Sequence, residues 1–115
     1  MIEDIILKLR KFAEERDWNQ FHSPKNLTMA LAGEIGELME IFQWLKEEDS
    51  EKPMLDKKQI ESIEHEVADI FLYLLRLTDK LEIDIIDAAT KKLEINAKKY
   101  PVNLSKGNSK KYRDL

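Results

Sequence analysis

Gly33-Glu34-Ile35-Gly36-Glu37-Leu38 and Glu66-Val67-Ala68-Asp69-Ile70 repeat one order of residue types, acid, apolar, small, acid, apolar, at an offset of 32 residues. Acids three apart share one face of an α-helix, about one turn from each other, so each stretch sets two carboxylates beside an apolar seam. The first seam reads Leu27, Leu31, Glu34, Leu38, Ile41, Leu45 and the second Ile60, Ile63, Val67, Ile70, Leu74, Leu77, Leu81. Both have helical spacing. One seam position, 34, is a glutamate. In an antiparallel hairpin of two such helices, residues at one level have a constant index sum, and Glu34 with Asp69 and Glu37 with Glu66 both sum to 103. Their midpoint falls in Glu48 to Leu55, an acidic stretch with Ser50 and Pro53 and no periodicity, which reads as the connecting loop. Helix axes about 8 to 10 Å apart let all four carboxylates reach one ion.

On either side of this hairpin the chain continues to read as helix. Ile5, Leu9, Phe12 and Ala13 predict a helix over 2–16, and Ser23-Pro24 caps a second that extends to about Glu47. Asp56 caps a third, ending near Lys80. A fourth runs from about Asp84 to the residue before Tyr100-Pro101, since a residue preceding proline is pushed out of helical dihedrals. The fold class expected is all-α, four to five helices in antiparallel hairpins forming a bundle. Met29, Phe42, Phe71, Leu72 and Leu75 lie off the main stripes, more apolar surface than one chain of this size covers. Completion of the bundle by a homo-oligomer, a dimer or tetramer, follows as an expectation. The domain is expected to span residues 1–102, with a basic tail over 103–115 that alone would be disordered.

Composition excludes several classes. A chain of 115 residues allows one domain. Its three glycines form neither G-x-G-x-x-G nor G-x-x-x-x-G-K, which removes the phosphate-loop folds. No cysteine is present, so thiolate metal sites, disulfides and a cysteine nucleophile are out. The longest apolar runs, such as Ile70 to Leu75, are far short of a membrane span, and Met1 leads into an acidic segment, so a cytoplasmic location without membrane attachment is expected. The net charge of −4 divides into +5 over residues 98–115 and −9 over the rest. An acidic body disfavours duplex nucleic acid, whose phosphates need a cationic face. A small anionic ligand remains compatible with the basic end.

Four clustered acids require an explanation. Two unit charges about 5 Å apart repel by roughly 3 kcal/mol at an effective dielectric near 20. Several such pairs would consume much of a domain's stability of about 5 to 15 kcal/mol. Protonation or a cation must relieve them. An all-oxygen set suits Mg²⁺, or Mn²⁺, which keeps waters and takes substrate phosphates as further ligands. A di-iron carboxylate bundle would want Glu-x-x-His pairs, and neither His22 nor His65 has a glutamate three residues before it. Most Glu-x-x-Glu pairs in a chain that is 37% charged are solvated helix faces. The seam position of Glu34 and the matched levels across the loop favour the metal site. Gly33 and Gly36 add to this, since each mid-helix glycine costs about 1 kcal/mol relative to alanine and opens room for a ligand.

At these residues the chain resembles the all-α nucleoside triphosphate pyrophosphohydrolases, the MazG-like superfamily, and most of all their dCTP pyrophosphatase branch. The likeness extends to Glu15-Arg16-Asp17-Trp18, Phe21-His22, Asn26-Leu27, Phe42-Gln43-Trp44, Tyr73-Leu74, Lys92 to Pro101 and Lys111-Tyr112. It implies Mg²⁺ held by Glu34, Glu37, Glu66 and Asp69, and an NTP split to NMP and pyrophosphate in a cleft completed by a neighbouring subunit. One departure is Leu9, where vertebrate members of the branch carry histidine. A carboxylate not saturated by metal can take a proton from the attacking water, and Glu34 and Glu37 are the candidates. Lys92, Asn96, Lys99 and Tyr100 step along the end of the fourth helix, where lysine point charges suit phosphate oxygens; a solvated helix end is the other reading. Trp18, Phe21, His22, Trp44 and Tyr73 are candidates for the base pocket, because aromatic faces stack on any base. Trp44, seven beyond Glu37, is expected on its helix face. The expected activity is Mg²⁺-dependent removal of unwanted (d)NTPs, dCTP or modified cytosine nucleotides above all. The alternative is a non-catalytic helical oligomer that senses nucleotides.

Overall fold

The computed structural model describes residues 1–115. It contains five α-helices, α1 (Ile2–Glu15), α2 (Pro24–Phe42), α3 (Lys57–Lys80), α4 (Ile85–Lys99) and α5 (Val102–Ser105), with short 3₁₀ turns and no strand. The all-helical expectation is met. The chain divides into two compact units, Met1–Glu82 and Ile83–Leu115.

In the first unit α2 and α3 form the hairpin and α1 packs on α3. Local chemistry sets the helix ends. Ser23 accepts from the Asn26 amide with Pro24 in the first turn, and Asp56 forms a reciprocal capping box with Gln59. At the end of α1, Asp17 takes φ 54°, its amide donates to the Glu14 carbonyl and that of Trp18 to the Ala13 carbonyl. This is a Schellman turn, with aspartate in the left-handed position where glycine is usual. Its apolar contact is supplied by Trp18, whose ring lies edge-on to Phe12 at 5.6 Å.

One boundary is corrected. α2 stops at Phe42, not near Glu47, and residues Glu47–Ser50 form a 3₁₀ turn. At the end of α2 the run Glu47-Glu48-Asp49 would face the negative end of the helix dipole. As the first turn of a new helical segment the same acids face a positive end. The Ser50 hydroxyl donates to the Glu47 carbonyl at 2.6 Å and closes that turn.

The hydrophobic side chains fully buried are Ala13, Leu27 and Leu75, one from each of the three helices. Of the off-stripe residues, Leu75 is buried and Leu72 and Phe42 half-buried, whereas Met29 and Phe71 are exposed. Arg10 of α1 clamps Asp79 of α3 with two hydrogen bonds, Nε at 2.8 Å and Nη2 at 2.6 Å. No helix is long and apolar enough to cross a membrane.

In the second unit Asp84 caps α4 by accepting from the Asp87 amide. The helix ends at Lys99, ahead of Pro101 as expected. Beyond α5, the Tyr112 ring lies edge-on to Tyr100 at 6.3 Å, and the Lys99 ammonium sits 4.8 Å from its centroid. The basic segment is therefore tied to α4 by ring and cation–π contacts.

Candidate active site

The hairpin brings its acids together. One carboxylate oxygen from each of Glu34, Glu37 and Glu66 lies within 4.8 Å of the other two. Glu34 and Glu66 are half-buried, Glu37 exposed. The Oε2 atoms of Glu34 and Glu66 are buried without a hydrogen-bond partner, a costly state for an acceptor. Burial, then the adjoining carboxyls of Glu37 and Glu66, then the charges of Glu37 and Asp69, push the Glu34 carboxyl up to about 7. Burial first, and the negative charges of Glu37 and Asp69 after it, also raise the Glu66 carboxyl. Asp69 is not among the three that meet within this distance. Its charge nevertheless acts on both half-buried glutamates.

Two buried oxygens without donors, in an all-carboxylate set whose charges repel, fit a hard divalent cation. Glu34, Glu37 and Glu66 are placed to hold it, with Asp69 one turn further along α3. A Cβ built on Gly33 or Gly36 meets no atom within 4 Å, so both glycines face open space.

Beside these acids lies a cavity of about 250 Å³. Leu9, Phe12 and Ala13 of α1 form one wall, Trp18 and His22 of the following turn a second, and Asp69, Leu72, Tyr73 and Arg76 of α3 the third. Asp69 thus belongs to the cavity wall and to the electrostatics of the acid cluster. The Schellman turn is what aims Trp18 here, and its ring meets His22 edge-on at 6.1 Å.

Arg76 was not anticipated. It is 5% exposed, donates Nε–H to His22 Nδ1 at 3.2 Å and Nη2–H to Asn19 Oδ1, and approaches Asp79 at 3.8 Å. It stands three residues after Tyr73 and seven after Asp69, so the helical spacing that singled out those two also reaches it.

Of the aromatic candidates, Trp18, His22 and Tyr73 line the cavity. Phe21 and Trp44 do not. Phe21 is exposed, its carbonyl accepting from Asn26 Nδ2 at 3.0 Å. Trp44 is 87% exposed, because α2 has ended two residues before it and the expected face-sharing with Glu37 is lost. In the second unit Lys92 is exposed on α4, Asn96 and Tyr100 are half-buried, and Lys99 and Tyr100 pack on Tyr112. Leu9, the departure noted above, is a wall of the cavity.

A helical hairpin whose carboxylates converge beside an aromatic-walled cavity defines an all-α protein suited to hold a cation next to a flat ligand. The chain belongs to the MazG-like family, whose match covers residues 30–115. It is 41% identical to dCTP pyrophosphatase 1 of Bos taurus over 99% of this chain and 68% of that protein. With dCTP pyrophosphatase 1 of Homo sapiens it shares 38% identity over 99% of this chain and 67% of that protein. Among solved structures, a pyrophosphatase from Archaeoglobus fulgidus superposes with a TM-score of 0.80 at 41% identity, covering 86% of this chain and 91% of that one.

Proposed function

We propose that this chain hydrolyses dCTP, or a modified cytosine nucleotide, to the nucleoside monophosphate and pyrophosphate, with Mg²⁺ or Mn²⁺ held by Glu34, Glu37, Glu66 and Asp69. The reaction class, nucleotide pyrophosphohydrolysis, is that of its family and relatives. The observation that carries the proposal is the convergence of three carboxylates within 4.8 Å with buried Oε2 atoms of Glu34 and Glu66 unpartnered. When bound, a divalent cation neutralises these acids and stabilises charge that builds on phosphate oxygens.

In the reaction, a water oxygen bonds to the α-phosphorus while the bond from that phosphorus to the α–β bridging oxygen breaks. Pyrophosphate leaves with the bridging oxygen, and the water's proton passes to Glu34 or Glu37. Trp18 and Tyr73 flank the base, and His22 meets its edge. Lys92, Asn96, Lys99 and Tyr100 bind the triphosphate, the lysines as point charges. The exposed Met29, Phe71 and Trp44 support assembly into a dimer or tetramer, in which Phe21 and Trp44 complete a neighbour's cleft. The role is clearance of unwanted nucleotides in the cytoplasm, with no duplex nucleic acid as partner.

Incubation with Mg²⁺ and a panel of dNTPs tests this. Stoichiometric NMP and pyrophosphate, fastest from cytosine nucleotides, are expected. No turnover of any nucleotide would leave the non-catalytic helical oligomer as the better reading.

A further inference from the structure

His22 touches the rest of the chain through an unusual partner for an imidazole. An arginine side chain has five N–H donors and no acceptor, and it does not give up its proton in proteins. The contact from Arg76 Nε to His22 Nδ1 therefore requires a lone pair on Nδ1. An imidazole with a free Nδ1 is neutral and carries its proton on Nε2. That nitrogen has no hydrogen-bond partner in the chain, and the ring lines the cavity.

We infer that Arg76 is a positioning residue for base recognition: it holds His22 in the Nε2–H form, so that the cavity offers a hydrogen-bond donor to a base edge that presents an acceptor. This rests on the reading of the cavity as the base pocket. A ring carbonyl or unprotonated ring nitrogen is the complementary group, and cytosine carries the two side by side at O2 and N3. Burial, followed by the positive charges of Arg76 and Lys80, lowers the His22 pKa, in agreement with a neutral ring. Arg76 is itself held on its other sides. Asn19 Oδ1 accepts from Nη2, Asp79 stands at 3.8 Å, and Arg10 fixes Asp79 from α1. The guanidinium cannot swing away without breaking several of these contacts at once. Asp69, Tyr73 and Arg76 also line the cavity from α3, but Leu9, Phe12, Ala13 and Leu72 make much of its wall apolar, and against that background a donor at His22 adds polar discrimination.

The tautomer is directly readable. In ¹⁵N NMR of the intact chain, with His22 distinguished from His65 through the His22→Gln variant, the expected spectrum has an unprotonated Nδ1 and a protonated Nε2; a proton on Nδ1 overturns the inference. Affinity is read by titration with dCMP, which needs no hydrolysis. Arg76→Met is expected to weaken dCMP binding about tenfold, the size of one lost hydrogen bond. Glutamine at position 22 places an amide donor where Nε2–H was and has no tautomer to fix. Arg76→Met made in the His22→Gln background is accordingly expected to leave dCMP affinity within about twofold of the single His22→Gln variant. An equal loss in both backgrounds would make Arg76 a packing residue and overturn the proposal. Failure of the wild-type chain to hydrolyse any dNTP, with the NMR and dCMP results as expected, would remove the reaction and leave the positioning role standing.

Discussion

α3 carries two sets of charges that the fold treats in opposite ways. Near its middle, Glu66 joins Glu34 and Glu37 in a cluster of one sign on which the charge of Asp69 also acts, with buried acceptors that find no donor. Two to three turns later, Arg76 and Asp79 join Arg10, His22 and Asn19 in a set where each charge meets an opposite charge or a lone pair. The second set is complete within the chain and ties α1 and the Trp18 turn to the hairpin. The first lacks such partners within the chain, and the proposed cation would supply them. Charged residues on one helix thus divide into a structural group and a functional group by whether their partners are already present.

The largest test of this contrast is Glu37→Gln. Loss of one cluster carboxylate is expected to lower kcat/KM by a factor on the order of 10² or more, read as pyrophosphate release at saturating Mg²⁺. Its melting temperature in chelator should not fall. Activity equal to wild type would break the division, since the acids would then be a solvated face.

Asp79→Ala should show the opposite profile. It leaves Arg10 and the buried Arg76 without their carboxylate, and a loss of about 2 kcal/mol in urea unfolding is expected, reduced from the fully buried case because Arg10 is half exposed. The Arg10 hydrogen bond is the main cause of a depressed Asp79 pKa. A depressed carboxyl contributes stability that is full above its unfolded value near about 3.9 and is lost as pH falls through the folded one. Asp79→Ala should therefore flatten the acid limb of the stability curve.

Glu34 has the reverse sign. Folded and metal-free, it binds its proton more tightly than in the unfolded chain, so the stability this contributes is full below about 4.3 and is lost as pH rises through about 7. Melts in chelator should fall from pH 5 to 8, and Glu34→Gln should reduce that slope, leaving the part that the raised Glu66 carboxyl contributes. A wild-type curve that is flat over this window would mean the cluster is relaxed without a cation.

The smallest effects are expected at the glycines. Gly33→Ala and Gly36→Ala meet nothing within the chain and should each stabilise it by up to about 1 kcal/mol in thermal unfolding. Hydrolysis lost by a chain that has become more stable would sharpen the contrast, placing a ligand or neighbour against that backbone.

The acid cluster was legible because its evidence is local and periodic. Helical spacing put each pair on one face, and the common index sum put both pairs at one level. Trp44 lies off the Glu37 face because helical spacing holds only within an unbroken helix, and the acids after it end α2 early by their preference for a positive helix end. Arg76 is not legible in the same way, because an arginine in a helix rich in charge reads as solvated until its burial is known. The aim of Trp18 was likewise hidden, since it depends on Asp17 adopting a left-handed conformation that its residue type permits without requiring.

The amino-acid order alone determined the helical class, the hairpin and the approach of Glu34 and Glu37 to Glu66, since apolar period and capping chemistry act over a few residues. Only the tertiary structure decided which charges find partners, which aromatics share a cavity, and that Arg76 turns a lone pair of His22 toward itself. Those outcomes depend on contacts between residues as far apart as 19 and 76, where no local period carries the information.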